Sequence, residues 1–156
     1  VKLVLVGFGP EEQVLKQQTR DLGLSGMIIF PGAKSGAELA SYYATADIFI
    51  GPSIVVPGGD TEGQGIVFVE ALSAKAAVIA TNVGGIPDMI KDGETGLLVP
   101  EKNAGAIAEK ILLLCRDPEF RNKLTIQGRQ LVTNKYSWKT IASQMLELYK
   151  KTSLTG

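Results

Sequence analysis

The sequence predicts an α/β protein, a parallel sheet with helices on both faces that ends in a helical C-terminal segment. Three observations carry this. Short, nearly continuous apolar runs at residues 1–6, 27–30, 47–50, 77–80 and 96–99 read as strands buried on both faces. Helical patterns separate these runs, which makes the strands parallel. Glycines follow the strands at Gly7, Gly32, Gly51 and Gly84, the carboxyl edge where open α/β sheets take ligands.

Taken in order, the first strand closes in the turn Gly7-Phe8-Gly9-Pro10. Residues 11–22 carry Val14, Leu15 and Leu22 among polar side chains and stop at Gly23, as a helix with a glycine C-cap would. The strand at 27–30 ends at Pro31-Gly32. Ser35 is placed to cap a short helix reaching residues 43–46, in which Tyr42 and Tyr43 read as core and surface members. The strand at 47–50 closes at Gly51-Pro52-Ser53. A helix begins near Gly65, and the strand at 77–80 leads into a loop that opens another short helix at Pro87. After the strand at 96–99 the pattern is wholly helical, over 104–115, 118–132 and 138–151. The apolar face of the last segment, with Trp138, Ile141, Met145, Leu146 and Tyr149, is expected to pack on its own domain. No linker interrupts residues 1–151, which read as one domain, and residues 152–156 read as a frayed tail.

Composition narrows the chemistry. The chain has 156 residues, 45% hydrophobic and 21% charged, with sixteen basic side chains balancing sixteen acidic ones. That is ordinary for one globular domain and lacks the basic footprint of a nucleic-acid binder. Histidine is absent, so His-based triads and the commonest metal ligand are excluded together, and acid–base work falls to carboxylates. The single cysteine, Cys115, follows an apolar run and reads as a buried thiol, and it forbids an internal disulfide. No signal peptide or bilayer-spanning run is visible.

The stretch 59–70, Gly-Asp-Thr-Glu-Gly-Gln-Gly-Ile-Val-Phe-Val-Glu, organises the rest. A helix starting near Gly65 sets its exposed amides and the positive end of its dipole between Glu62 and Glu70 in sequence, a place for a phosphate. Gly63 and Gly65 let backbone approach an anion closely, and no lysine or arginine occurs between Gly51 and Ala74, so the backbone must supply the local attraction. Glu70 stands among Ile66, Val67, Phe68, Val69, Ala71 and Leu72. Burial there would require hydrogen bonding, which vicinal sugar hydroxyls supply, whereas a narrow polar stripe would bring it to the surface. Glu62 is equally readable as a solvated loop acid.

These residues resemble the donor-binding domain of retaining glycosyltransferases with two Rossmann-like domains, the GT-B type of the group 1 family. Glu62 and Glu70 match its two glutamates, and Glu70-Ala71-Leu72-Ser73-Ala74 continues the pattern. It extends through Gly84-Gly85-Ile86-Pro87-Asp88 and Asp92-Gly93-Glu94-Thr95-Gly96-Leu97-Leu98-Val99-Pro100. It also reaches back to Val6-Gly7-Phe8-Gly9-Pro10-Glu11 and Ala46-Asp47-Ile48-Phe49-Ile50-Gly51-Pro52-Ser53, and forward to Tyr136-Ser137-Trp138. The loop at 57–63 is similar to members that assemble polysaccharides. The resemblance implies that Glu62 contacts the donor sugar near its reacting end as the catalytic carboxylate and that Glu70 holds the nucleotide ribose. Gly63, Gln64, Gly65, Ile66 and Val67 would meet the sugar hydroxyls and diphosphate, and Pro31 and Gly32 the base. It further implies a nucleotide-diphosphate sugar as donor substrate, no other cofactor and no bound metal. The setting it implies is cytoplasmic, with peripheral association of the full-length enzyme at the inner membrane face.

Departures are local. Gln64 stands where the family often has an aromatic or apolar residue, Lys75 where glycine is usual, and Ala77 where proline often opens the strand. Relatives also carry, ahead of the position of Val1, a strand and helix with a cationic diphosphate clamp and an acceptor-binding domain. A fragment lacking these is expected to bind rather than turn over, and a sheet lacking an internal strand is expected to self-associate. The alternative readings are a non-catalytic nucleotide-sugar-binding or interaction module and, against the glutamate pattern, a sugar-nucleotide epimerase. A nicotinamide oxidoreductase is disfavoured because Gly7-Phe8-Gly9-Pro10 lacks the third glycine of its fingerprint.

Overall fold

The computed structural model describes residues 1–56, 58 and 65–153. The chain divides into two compact units, Val1–Tyr42 and Tyr43–Gly156. In the first, β1 (Leu3–Val6) and β2 (Ile28–Gly32) form a parallel ladder joined by α1 (Glu12–Asp21). Leu22 caps α1, and the left-handed Gly23 lets its own N–H reach the Arg20 carbonyl and the Leu24 N–H reach that of Thr19, the glycine stop expected from sequence. Strand β2 runs two residues past its expected end. The Gly7 N–H donates to the Gly32 carbonyl at 3.0 Å, and Pro31, which has no N–H, falls where the register slips between Val4 and Val6.

Strand β1 is not the buried strand its apolar run suggests: Leu3, Val4 and Val6 are exposed. A two-stranded ladder has too little sheet on either side to bury both faces. Helix α2 (Gly36–Thr45) leads out of this unit.

In the second unit β3 (Ile48–Gly51), β4 (Ala77–Thr81) and β5 (Leu97–Val99) lie in the order β3-β4-β5, all parallel. Strand β4 is central and wholly buried. Its Val78 and Ala80 join Phe68, Ala71 and Leu72 of α3 (Ile66–Ser73) and Ile86 and Met89 of α4 (Ile86–Met89). On its other face Ala77 and Ile79 join Leu114 of α5 (Ala104–Arg116) and Leu124 of α6 (Pro118–Lys135). The alternation of side chains along one strand thus feeds two apolar clusters, as a doubly covered sheet requires. Among the described residues β1 pairs only with β2, and β3 only with β4. The hydrogen bonding among the described residues is that of two ladders.

The turn before β5 is built from its own side chains. The Asp92 carboxylate accepts the Leu98 N–H at 2.9 Å and the Thr95 hydroxyl accepts the Lys91 N–H at 2.9 Å, so Asp92 and Thr95 are backbone partners here.

Two further expectations are corrected. Cys115 is exposed, because Leu114 takes the inward position of that turn of α5. Helix α7 (Trp138–Ser153) does not bury its apolar face: only Thr140 and Ile141 are half-buried and residues 142–152 are exposed. Trp138, at its first position, is 86% exposed. The helix outruns the surface available to cover it. No described helix is long and apolar enough to cross a membrane.

Candidate functional site

Topology brings the carboxyl ends of β3 and β4 and the start of α3 to one edge of the second unit. Two contacts lock that edge. The Thr81 hydroxyl, at the end of β4, donates to the Ser53 carbonyl at 2.6 Å. Beyond it, the Val55 N–H donates to the Glu101 carboxylate at 3.0 Å. The loop leaving β3 is therefore fastened to the end of β4 and to the turn that follows β5.

Helix α3 starts where the sequence places it. Gly65 is its N-cap, buried and left-handed at φ +51°, a conformation that a β-carbon would strain, and its carbonyl accepts the Phe68 N–H at 2.8 Å. The first-turn amides of Ile66 and Val67 emerge at this amino end, and the helix adds the positive end of its dipole. Ile66, in the first turn, is 69% exposed.

Glu70 lies one turn further on and is exposed, which corrects the expectation of a carboxylate buried in an apolar helix. The same face presents Ile66 and Val67, while Phe68, Ala71 and Leu72 take the core. Burial follows what stands opposite each face, and here only one face has a sheet against it. Burial first, then the neighbouring Glu70 carboxylate, push the phenol of Tyr43, at the end of α2, up to about 12. Tyr43 is half-buried against the core cluster, its ring 5.7 Å from that of Phe49, so it is more than a surface member of its helix.

Of the residues marked in the sequence, the structure brings Gly65, Ile66, Val67 and Glu70 together on α3. Pro31 and Gly32 lie at the end of β2, in the first unit. Glu62, Gly63 and Gln64 lie outside the described residues. No cluster of metal-ligating side chains occurs among the described residues.

Residues 1–131 match the family described as Glycosyl transferases group 1. A GDP-mannose-dependent alpha-(1-6)-phosphatidylinositol monomannoside mannosyltransferase of Mycobacterium tuberculosis is 34% identical over 149 residues, covering 95% of this chain and 39% of that protein. Among solved structures, the sucrose-phosphate synthase of Thermosynechococcus elongatus superposes with a TM-score of 0.83 at 31% identity, over 99% of this chain and 39% of that one. The C-terminal domain of a glycosyl transferase group 1 family protein from Francisella tularensis superposes with a TM-score of 0.71 at 36% identity, over 81% of this chain and 63% of that one. The chain thus spans about two fifths of the length of the curated relative.

Proposed function

Because the chain belongs to the glycosyl transferases group 1 family, we propose that residues 1–151 are the donor-binding part of a glycosyltransferase. The whole enzyme would move a sugar from a nucleotide-diphosphate sugar to an acceptor with retention, in polysaccharide or glycoconjugate synthesis in the cytoplasm. The observation that carries the reading is the arrangement on α3. Its first turn, where Ile66 and Val67 are exposed, and the exposed Glu70 carboxylate share one helix face at the carboxyl edge of a parallel sheet. Four residues of helix rise about 6 Å, a span that lets the diphosphate meet the first-turn amides while the ribose meets Glu70.

In this reading Glu70 accepts hydrogen bonds from the ribose hydroxyls, and Gly63 to Val67 surround the sugar and diphosphate. Glu62 serves the reacting end of the donor sugar, and Pro31 and Gly32 meet the base. The donor is a substrate, and neither a metal nor another cofactor is assigned. Charge developing on the leaving diphosphate is met by helix amides and by a cationic clamp of the kind relatives carry ahead of the position of Val1. A GDP-mannose-dependent relative at 34% identity supports a nucleotide-sugar donor.

Calorimetric titration of UDP-, GDP- and ADP-sugars against the chain tests this. One nucleotide should bind, Glu70→Ala should abolish that binding with the fold intact by circular dichroism, and no glycosyl transfer should accompany it. Unchanged affinity in Glu70→Ala would overturn the ribose assignment.

A further inference from the structure

The segment that leaves β3 is not fixed by apolar burial, since Ile54, Val55 and Val56 are all exposed. Side-chain hydrogen bonds hold it instead. The buried Thr81 hydroxyl donates to the Ser53 carbonyl at 2.6 Å, and the Val55 N–H donates to the Glu101 carboxylate at 3.0 Å. A carbonyl and an N–H two residues apart point the same way in an extended chain, so these two side chains take the edge that a neighbouring strand would pair with. Strand β4 lies between β3 and β5, and Glu101 follows β5, so its contact with Val55 spans the end of the central strand.

Glu101 is itself held. It is half-buried and stands between Val99, buried at the end of β5, and Asn103, whose side chain accepts the Ala106 N–H at 2.9 Å and caps α5. Lys102, between Glu101 and that cap, is left-handed at φ +56°, a conformation that a side chain adopts at a cost and that persists where the surroundings fix the turn. The carboxylate is therefore a fixed point against which the loop can be set.

We propose that Glu101 is a positioning residue for donor binding: by accepting the Val55 N–H it holds residues 53–56 at the edge where the amino end of α3 stands, and so shapes the wall that a nucleotide-diphosphate sugar meets there. The proposal rests on the donor-binding reading given above and extends it to a residue outside α3. The task needs an acceptor oxygen at the reach of a glutamate and does not need its charge. Glutamine keeps that oxygen, aspartate draws it back by one carbon, and alanine removes it.

The test titrates UDP-glucose, GDP-mannose and ADP-glucose against the 156-residue chain by calorimetry and follows hydrogen exchange at the Val55 amide. Glu101→Ala and Glu101→Asp should each weaken binding about fivefold and speed that exchange, with the fold retained by circular dichroism. Glu101→Gln should stay within about twofold of the wild type in both measurements. Wild-type affinity in Glu101→Ala, or a loss in Glu101→Gln equal to that in Glu101→Ala, would overturn the proposal. In both cases the donor-binding reading stands if Glu70→Ala still loses affinity. A wild-type chain that binds none of the three sugars would overturn that reading and the proposal together.

Discussion

Phe68 leaves no room for a side chain at Gly51: an added β-carbon would stand 2.3 Å from the Cε1 of its ring. The last residue of β3 is thus held against Phe68 of α3, which sets the height of the first-turn amides above the sheet. Gly51→Ala should destabilise the protein by about 1–3 kcal/mol, since the ring is buried among core residues and has no solvent to turn into. It should also weaken nucleotide binding by shifting α3. Urea denaturation and calorimetry on the same sample measure both.

Lys75 stops α3 in a conformation normally left to glycine, at φ +64°. The Ala76 N–H reaches the Ala71 carbonyl at 3.0 Å and the Lys75 N–H reaches that of Leu72 at 3.1 Å, so the turn keeps the glycine-type geometry despite the lysine. The left-handed strain of a side chain is of order 1–2 kcal/mol, partly offset by a cation at the helix C-terminus. Lys75→Gly should therefore stabilise the protein by about 0.5–1 kcal/mol. A midpoint of denaturation at or below that of the wild type would contradict this.

Tyr43 couples stability to alkaline pH. Its phenol is raised from 10.0 to about 12, by burial first and then by Glu70, so the folded chain holds a proton that the unfolded chain releases. The contribution is complete below pH 10 and is lost as pH rises from there to about 12. Across that window the wild type should lose more stability than Tyr43→Phe. Parallel melting profiles for the two proteins would argue against the raised phenol.

The exposed face of α7 and the single-sided pairing of β1 and β3 both favour self-association of this chain. Replacing Trp138 and Leu148 by lysine should lower the association seen by sedimentation. Each change should alter the stability of the monomer by no more than about 0.5 kcal/mol, because both side chains are largely exposed. A strictly monomeric wild type over a wide concentration range would count against the expectation.

Much of the architecture was legible because it depends on local pattern. Continuous apolar runs separated by helical periodicity marked every strand of both ladders, and Gly23 marked the stop of α1 through its left-handed conformation. The start of α3 at Gly65 was legible for the same reason. Cys115, Glu70 and the face of α7 were misjudged because exposure depends on neighbours distant in sequence. Leu114 rather than Cys115 faces the core, and nothing in the run around either residue says which. Asp92 and Thr95 stood inside a recognisable motif, yet their work as acceptors for Leu98 and Lys91 emerged only from the folded turn.

The amino-acid order alone determined the alternation of strands and helices, the parallel pairing, the family and the start of α3, because each follows from short-range periodicity or from a motif. Tertiary structure alone decided that the strands form two ladders, that Glu70 is exposed, and that Tyr43 packs on Phe49. Those outcomes depend on which surfaces come to lie opposite one another, and the ring of Tyr43 has a place only where Phe49 has packed against Phe68.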